Sequence, residues 1–206
     1  MENIRTYLDA TMCLLWIVTD TLVLIGTVKY KYPLIPSVTQ LIIAPFEFSV
    51  WLGFIIGGGF SINYITVAYS YWTIMEIAII YVVLKVSNVS LKNKWLYLIA
   101  VCIMTCIMYY LTIVKGWIFF FSYFNTFVSE IFWFIYIHKK DYPIKPIVLT
   151  FFIAKFIGDA ISIPVYFGRG IWIISLISIL LPTLDFLFIL VYIKQKKKNM
   201  SITASP

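Results

Sequence analysis

The sequence predicts an all-α membrane protein, with residues 1–206 folded as a single bundle of seven transmembrane helices. Three observations predict it. Hydrophobic residues make up 62% of the chain and charged residues 12%, with a mean hydropathy of +0.96. A soluble domain keeps roughly 25% charged residues to wet its surface. Apolar runs of the roughly 20 residues that carry a helix across a bilayer recur along the chain. Between the runs stand short lysine clusters, which is how membrane spans are flanked.

The first span, near 8–28, follows from MENIRTYLDATMCLLWIVTD, which lacks a basic leader and a small-residue cleavage site. It reads as a retained span and not as a removable signal peptide. Pro33 and Pro36 mark the entrance of the second, 34–57, where a missing N–H costs little. The turn GGGFSIN at 57–63 leads into the third, 64–86, and the fourth and fifth follow at 94–114 and 117–138. Pro143 and Pro146 introduce the sixth, 146–167, and Gly168 with Gly170 reverses the chain into the seventh, 171–193. No linker, soluble domain, internal repeat or midspan Gly/Pro break is read.

Lysines set the orientation. Twelve fall on one side, at 29–31, 85–94, 139–145 and 194–198, against Arg5, Lys115 and Arg169 on the other. The N-terminus is therefore expected outside and the C-terminus in the cytoplasm. The sequon-like NVS at 88–90 and NMS at 199–201 land on the cytoplasmic side and read as unmodified. The net charge of +7 resides in these flanks, so no basic face with reading residues exists for nucleic acid. Scattered cysteines and the lone His138 give no metal or haem spacing.

Six acids lie within spans: Asp20, Glu47, Glu76, Glu130, Asp159 and Asp185, with Lys155 the only embedded base. Each costs about 2.5–3.5 kcal/mol at the bilayer centre and must face the protein interior. Lys155 and Asp159 are an i,i+4 pair able to neutralise each other. Asp20 and Glu130 read as hydrogen-bonding glue between helices. Glu47, Glu76 and Asp185 sit near their helix midpoints without a base nearby in sequence, and read as a proton relay, an ion site or an acid catalyst. They are expected to line one cavity between the second, third and seventh spans. Trp51 follows Glu47 by four residues and Trp72 precedes Glu76 by four, so each is expected on the face of its acid. Acids beside aromatic faces in a dry cavity suit carbocation chemistry, each π contact contributing about 0.5–2 kcal/mol.

Four segments carry a family likeness. KYPLIPSVTQLIIAPFEFSVW has Glu47 after Phe46; YWTIMEIAIIYVVLK has Trp72 four before Glu76; NTFVSEIFWF has Asn125 and Ser129; LPTLDFLFILVY has Asp185. Together they resemble the second, third, fifth and last helices of the small integral-membrane terpene cyclases of fungal meroterpenoid and indole-diterpene pathways, which have bacterial relatives. Glu76 stands where that family carries aspartate. The resemblance implies acid-initiated cyclisation of a hydrophobic prenyl substrate without cofactor or metal, with Glu47 and Asp185 as the acid pair and Glu76 in support. It implies substrate contacts at Phe46, Trp51, Trp72, Asn125 and Ser129. Independently, no DDxxD-like cluster is present to hold Mg²⁺ on a diphosphate. The rival expectation is a small-solute or proton-coupled membrane transporter, against which the missing repeat counts.

Overall fold

The structure is a computed structural model, and it describes residues 2–57, 63–87, 89–139, 142–167 and 172–203. Seven α-helices follow in order: α1 Glu2–Tyr30, α2 Ser37–Ile56, α3 Tyr64–Val86, α4 Leu91–Tyr109, α5 Ile118–Ile137, α6 Pro146–Tyr166 and α7 Trp172–Thr203. All seven are long and apolar enough to cross a membrane, and no strand occurs among the described residues. Most of the GGGFSIN turn, the Gly168–Gly170 turn with Arg169, Lys140 and Asn88 lie outside the described residues.

Helix ends follow local chemistry. Pro36 caps α2 in an extended conformation and Pro146 opens α6, where the absent N–H is one the helix leaves unpaired anyway. Asn63 accepts from Ile65 and Thr66 backbone N–H groups and forms a capping box with Thr66 at the start of α3. The last turn of α4 widens into a π-helical segment, Tyr110–Val114, closed by the Lys115 N–H donating to the Tyr110 carbonyl at 3.0 Å. Pro45, Pro164 and Pro182 lie inside α2, α6 and α7, which corrects the reading that no proline interrupts a span. The helices run on through all three, because neighbouring helices can support a proline-weakened turn in a bundle.

Six helices close a ring. α1 packs on α3 and α6, α2 on α3 and α5, and α7 on α5 and α6, giving the circuit α1–α3–α2–α5–α7–α6. α4 packs outside it, mainly against α2, and most of its surface faces outward. The starts of α1, α3, α5 and α7 share one face of the bundle, and the lysine-rich segments share the opposite face.

That lysine-rich face is plugged. Val23, Ile79, Trp133, Phe151, Phe152 and Phe188 form its apolar core, with Trp133 stacked on Phe151 at 5.3 Å. The α1–α2 connection is drawn into it: Trp133 Nε1 and the Tyr142 hydroxyl both donate to the Leu34 carbonyl at 3.1 Å, and the Tyr136 hydroxyl donates to Pro33 at 2.9 Å. Burial pushes the Tyr142 phenol well above its ordinary pKa. Gly26 permits this approach, since a Cβ there would collide with the Leu34 side chain. Gly26→Val is therefore expected to cost about 1–3 kcal/mol through overpacking, read as a lowered Tm in detergent.

Candidate functional site

Each of the six ring helices directs one carboxyl inward: Asp20 from α1, Glu47 from α2, Glu76 from α3, Glu130 from α5, Asp159 from α6 and Asp185 from α7. Peripheral α4 carries none. An acid facing lipid would be costly, so the ring turns these groups toward one another. They divide into two sets of three.

The first set surrounds Lys155. Its Nζ bonds Glu130 Oε1, lies 2.5 Å from Asp159 Oδ2 and lies 3.2 Å from Asp185 Oδ1. Asp159 and Asp185 are both 0% exposed. The Asp159 and Asp185 carboxyls thus lie side by side on the one ammonium. Trp16 Nε1 donates to Asp159 Oδ1 at 2.8 Å, tying α1 to the cluster. The carboxyl oxygens of Glu130, Asp159 and Asp185 all lie within 4.8 Å of one another, close enough for a metal ion. The Lys155 ammonium already stands among them as their cation.

Asp20, Glu47 and Glu76 make the second set, lining a cavity of about 110 Å³ inside the ring. Its walls include Phe46, Asn125, Trp16, Tyr69, Trp72 and Trp133, and Lys155 reaches its edge. Gln40 hydrogen-bonds the Glu76 carboxyl, while Glu76 Oε2 and Glu47 Oε2 have no partner among the described residues. Trp72 Nε1 is likewise buried without one. Gln40 Oε1 is a fourth such atom on the chamber wall, although buried polar atoms are normally paired. Asn125 Nδ2 is turned to Met108 Sδ at 3.9 Å.

A larger cavity of about 770 Å³ lies toward the face that carries the N-terminus, lined by Arg5, Asp9 and Tyr64 near its mouth and by Phe54, Phe119 and Tyr123. Four side chains border both cavities: Trp16, Tyr69, Trp72 and Ser122. Tyr69 stands edge-on to Trp72 at 5.1 Å, and Trp16 is 5.9 Å from Trp72. Tyr69 also hydrogen-bonds Ser122. This aromatic partition separates a vestibule from an acid chamber whose far side is the apolar plug.

The structure thus brings together Glu47, Glu76, Phe46, Trp72 and Asn125 of the residues expected from sequence. It does not bring Asp185 to them. Asp185 is held by Lys155, contrary to the expectation of an acid without a nearby base and of a cavity bounded by α7. The lysine comes from the next helix, and its long stem reaches across the α6–α7 interface. Trp51 is half-buried on α2 and borders neither cavity. Four residues turn a helix about 40° past a full circle, enough at the edge of a face to leave it. Ser129 is buried away from the chamber, its backbone carbonyl accepting from Thr39 Oγ1 at 3.5 Å.

Asp20, expected as glue between helices, also lines the chamber, and Trp16 and Gln40 were not anticipated. The available signal was distributional: every span except the fourth carries an embedded acid. The chain matches no protein-family model, no curated protein and no solved structure.

Proposed function

We propose that the chain is a membrane-bound terpene cyclase that protonates a terminal epoxide or olefin of a prenyl chain and guides the resulting carbocation into rings. The single observation that supports this most is the chamber itself, where Glu47 and Glu76 carboxyls without full partners face Trp16, Tyr69 and Trp72. The motif resemblance around Glu47, Trp72 and Asn125 points the same way. Glu47 is the donor in this reading, passing its proton to the epoxide oxygen or to one olefin carbon. The positive charge then migrates along the chain as new C–C bonds form, beside aromatic faces each contributing about 0.5–2 kcal/mol. Loss of a proton from the final cation to the Glu47 carboxylate, directly or relayed by an ionised Glu76, leaves a cyclic isomer of the substrate and restores the acid, which exchanges with solvent as product leaves. The plug and partition keep out water that would quench the cation.

Two parts of the expected site are reassigned. Glu76 with its Gln40 partner replaces Asp185 beside the donor, and Asp185 acts through Lys155 as a positioning residue. The lysine-rich face is assigned to the cytoplasm by the positive-inside bias, so substrate enters from the opposite side. Protonation needs no diphosphate ionisation, and the chain has no Mg²⁺-binding aspartate motif to drive one. Purified protein given epoxide- and olefin-terminated prenyl substrates in EDTA is therefore expected to yield cyclic isomers at an undiminished rate. Loss of turnover on chelation, restored by Mg²⁺, overturns the mechanism.

A proton-coupled carrier is the second reading. One observation favours it: Pro45 and Pro182 precede Glu47 and Asp185 by two and three residues, placing weakened helix turns beside acids. Solute uptake into proteoliposomes, lost in Glu47→Gln, with no cyclic product from any prenyl substrate, selects this reading.

A further inference from the structure

The two sets of acids differ in one respect that bears on what the chamber binds. Glu130, Asp159 and Asp185 have a resident cation in Lys155. Asp20, Glu47 and Glu76 line one chamber and make no salt bridge among the described residues. Glu76 is 3% exposed, and its Oε2 borders the chamber without a partner. The same chamber is lined by Trp16, Tyr69 and Trp72, whose rings carry negative quadrupoles that attract positive charge as carboxylates do. Acids and aromatic rings thus converge on a space whose one bordering cation, Lys155, is already engaged by Glu130, Asp159 and Asp185.

We propose that this chamber is a binding site for small organic ammonium ions carrying an apolar tail, the head lying between Glu47, Glu76 and the Trp72 ring and the tail in the vestibule. The chamber, at about 110 Å³, is smaller than the roughly 150 Å³ void that accepts benzene, so it selects a compact head. The vestibule, at about 770 Å³, is of ligand-pocket size and holds the tail. Recognition requires charge: the amine nitrogen takes the proton that Glu47 otherwise holds, and the resulting ammonium–carboxylate pair is one that a neutral head cannot form. The inference rests on the chamber that the cyclase reading uses, and it deepens that reading by making ammonium amines stable mimics of the carbocation.

The test is a titration of purified protein in neutral detergent with an N,N-dimethylalkylamine and with its uncharged twin, in which a CH carbon replaces the nitrogen. Quenching of tryptophan fluorescence reports binding, because Trp16, Trp72 and Trp133 all border the chamber. The amine is expected to bind at least about tenfold tighter than its twin. Glu47→Gln and Glu76→Gln are each expected to lose at least about tenfold in amine affinity and little for the twin. Trp72→Leu, which removes a π face and no charge, is expected to weaken the amine by about threefold to thirtyfold, and serves if a glutamine variant does not fold. Equal binding of amine and twin, or undiminished amine binding in the variants, overturns the proposal. If the amine binds as expected but no prenyl chain is cyclised, the site stands and the cyclase reading falls. If cyclisation occurs and amines neither bind nor inhibit, the site alone falls.

Discussion

Glu47→Gln is expected to lower cyclisation per folded molecule by about 10²–10⁴-fold, the usual contribution of a positioned general acid. The amide keeps the shape of the carboxyl and can still hydrogen-bond, but it has no proton of suitable acidity to give. Glu47 is half-buried because it borders the chamber, and its Oε2 has no partner that the change would strand. The variant is therefore expected to insert, purify and melt within about 1 kcal/mol of the parent, as substitutions without a lost buried bond do. Glu76→Gln is expected to lose less activity, since Gln40 still finds a partner in the new amide. Product formation measured per folded protein by size-exclusion chromatography separates these outcomes. Parent-like turnover in Glu47→Gln places the donor elsewhere in the ring.

Lys155→Met is expected to have the largest effect on stability. Removing one partner from a buried ion cluster typically costs about 3–5 kcal/mol, because the other charges are left uncompensated. Here one ammonium serves Glu130, Asp159 and Asp185 from three helices, so its loss loosens the α5–α6–α7 side of the ring together. Asp185→Asn removes only one of those contacts, at 3.2 Å, and leaves two carboxyls on the lysine. It is expected to lower the Tm modestly and to change specific activity far less than Glu47→Gln. Thermal melts in detergent give the ranking. A Lys155→Met protein as stable as the parent contradicts the view of Lys155 as the fixed cation of the ring.

The fold was legible because hydropathy has one interpretation over runs this long. Seven spans emerged with most ends near those of the helices, but α1 starts at Glu2 and α7 runs to Thr203, beyond the expected 8 and 193; Pro36 and Pro146 fell at the entrances where their chemistry puts them. Prolines 45, 164 and 182 were passed over, since a helix supported by neighbours tolerates a break that a lone helix does not. Glu47 and Glu76 were each legible as interior acids because both stand near midspan, although the expected pair was Glu47 with Asp185.

Asp185 was not, and the reason is geometric. Sequence shows which residues share a helix but not which helices share an interface. Lys155 lies 30 residues from Asp185 in the chain and meets it only because α6 and α7 are neighbours in the ring. The same limit hid Trp16, which reaches Asp159 across 143 residues. Asp20 was expected as glue between helices, and its place in the chamber wall emerges only once α1 is seen beside α3. One signal did exist: the acid-free fourth span is the one helix outside the ring.

Solvent-isotope labelling tests the central claim, that a carboxyl of the chamber starts the reaction by giving up a proton. Purified protein equilibrated in D₂O is incubated with an olefin-terminated prenyl substrate, and the cyclic product is analysed by mass and by position of label. The account predicts one deuterium on the carbon protonated at the chain terminus, with formation of that product lost in Glu47→Gln. A cyclic product without deuterium, or a substrate recovered unchanged while the protein moves a solute across a vesicle membrane, would contradict it.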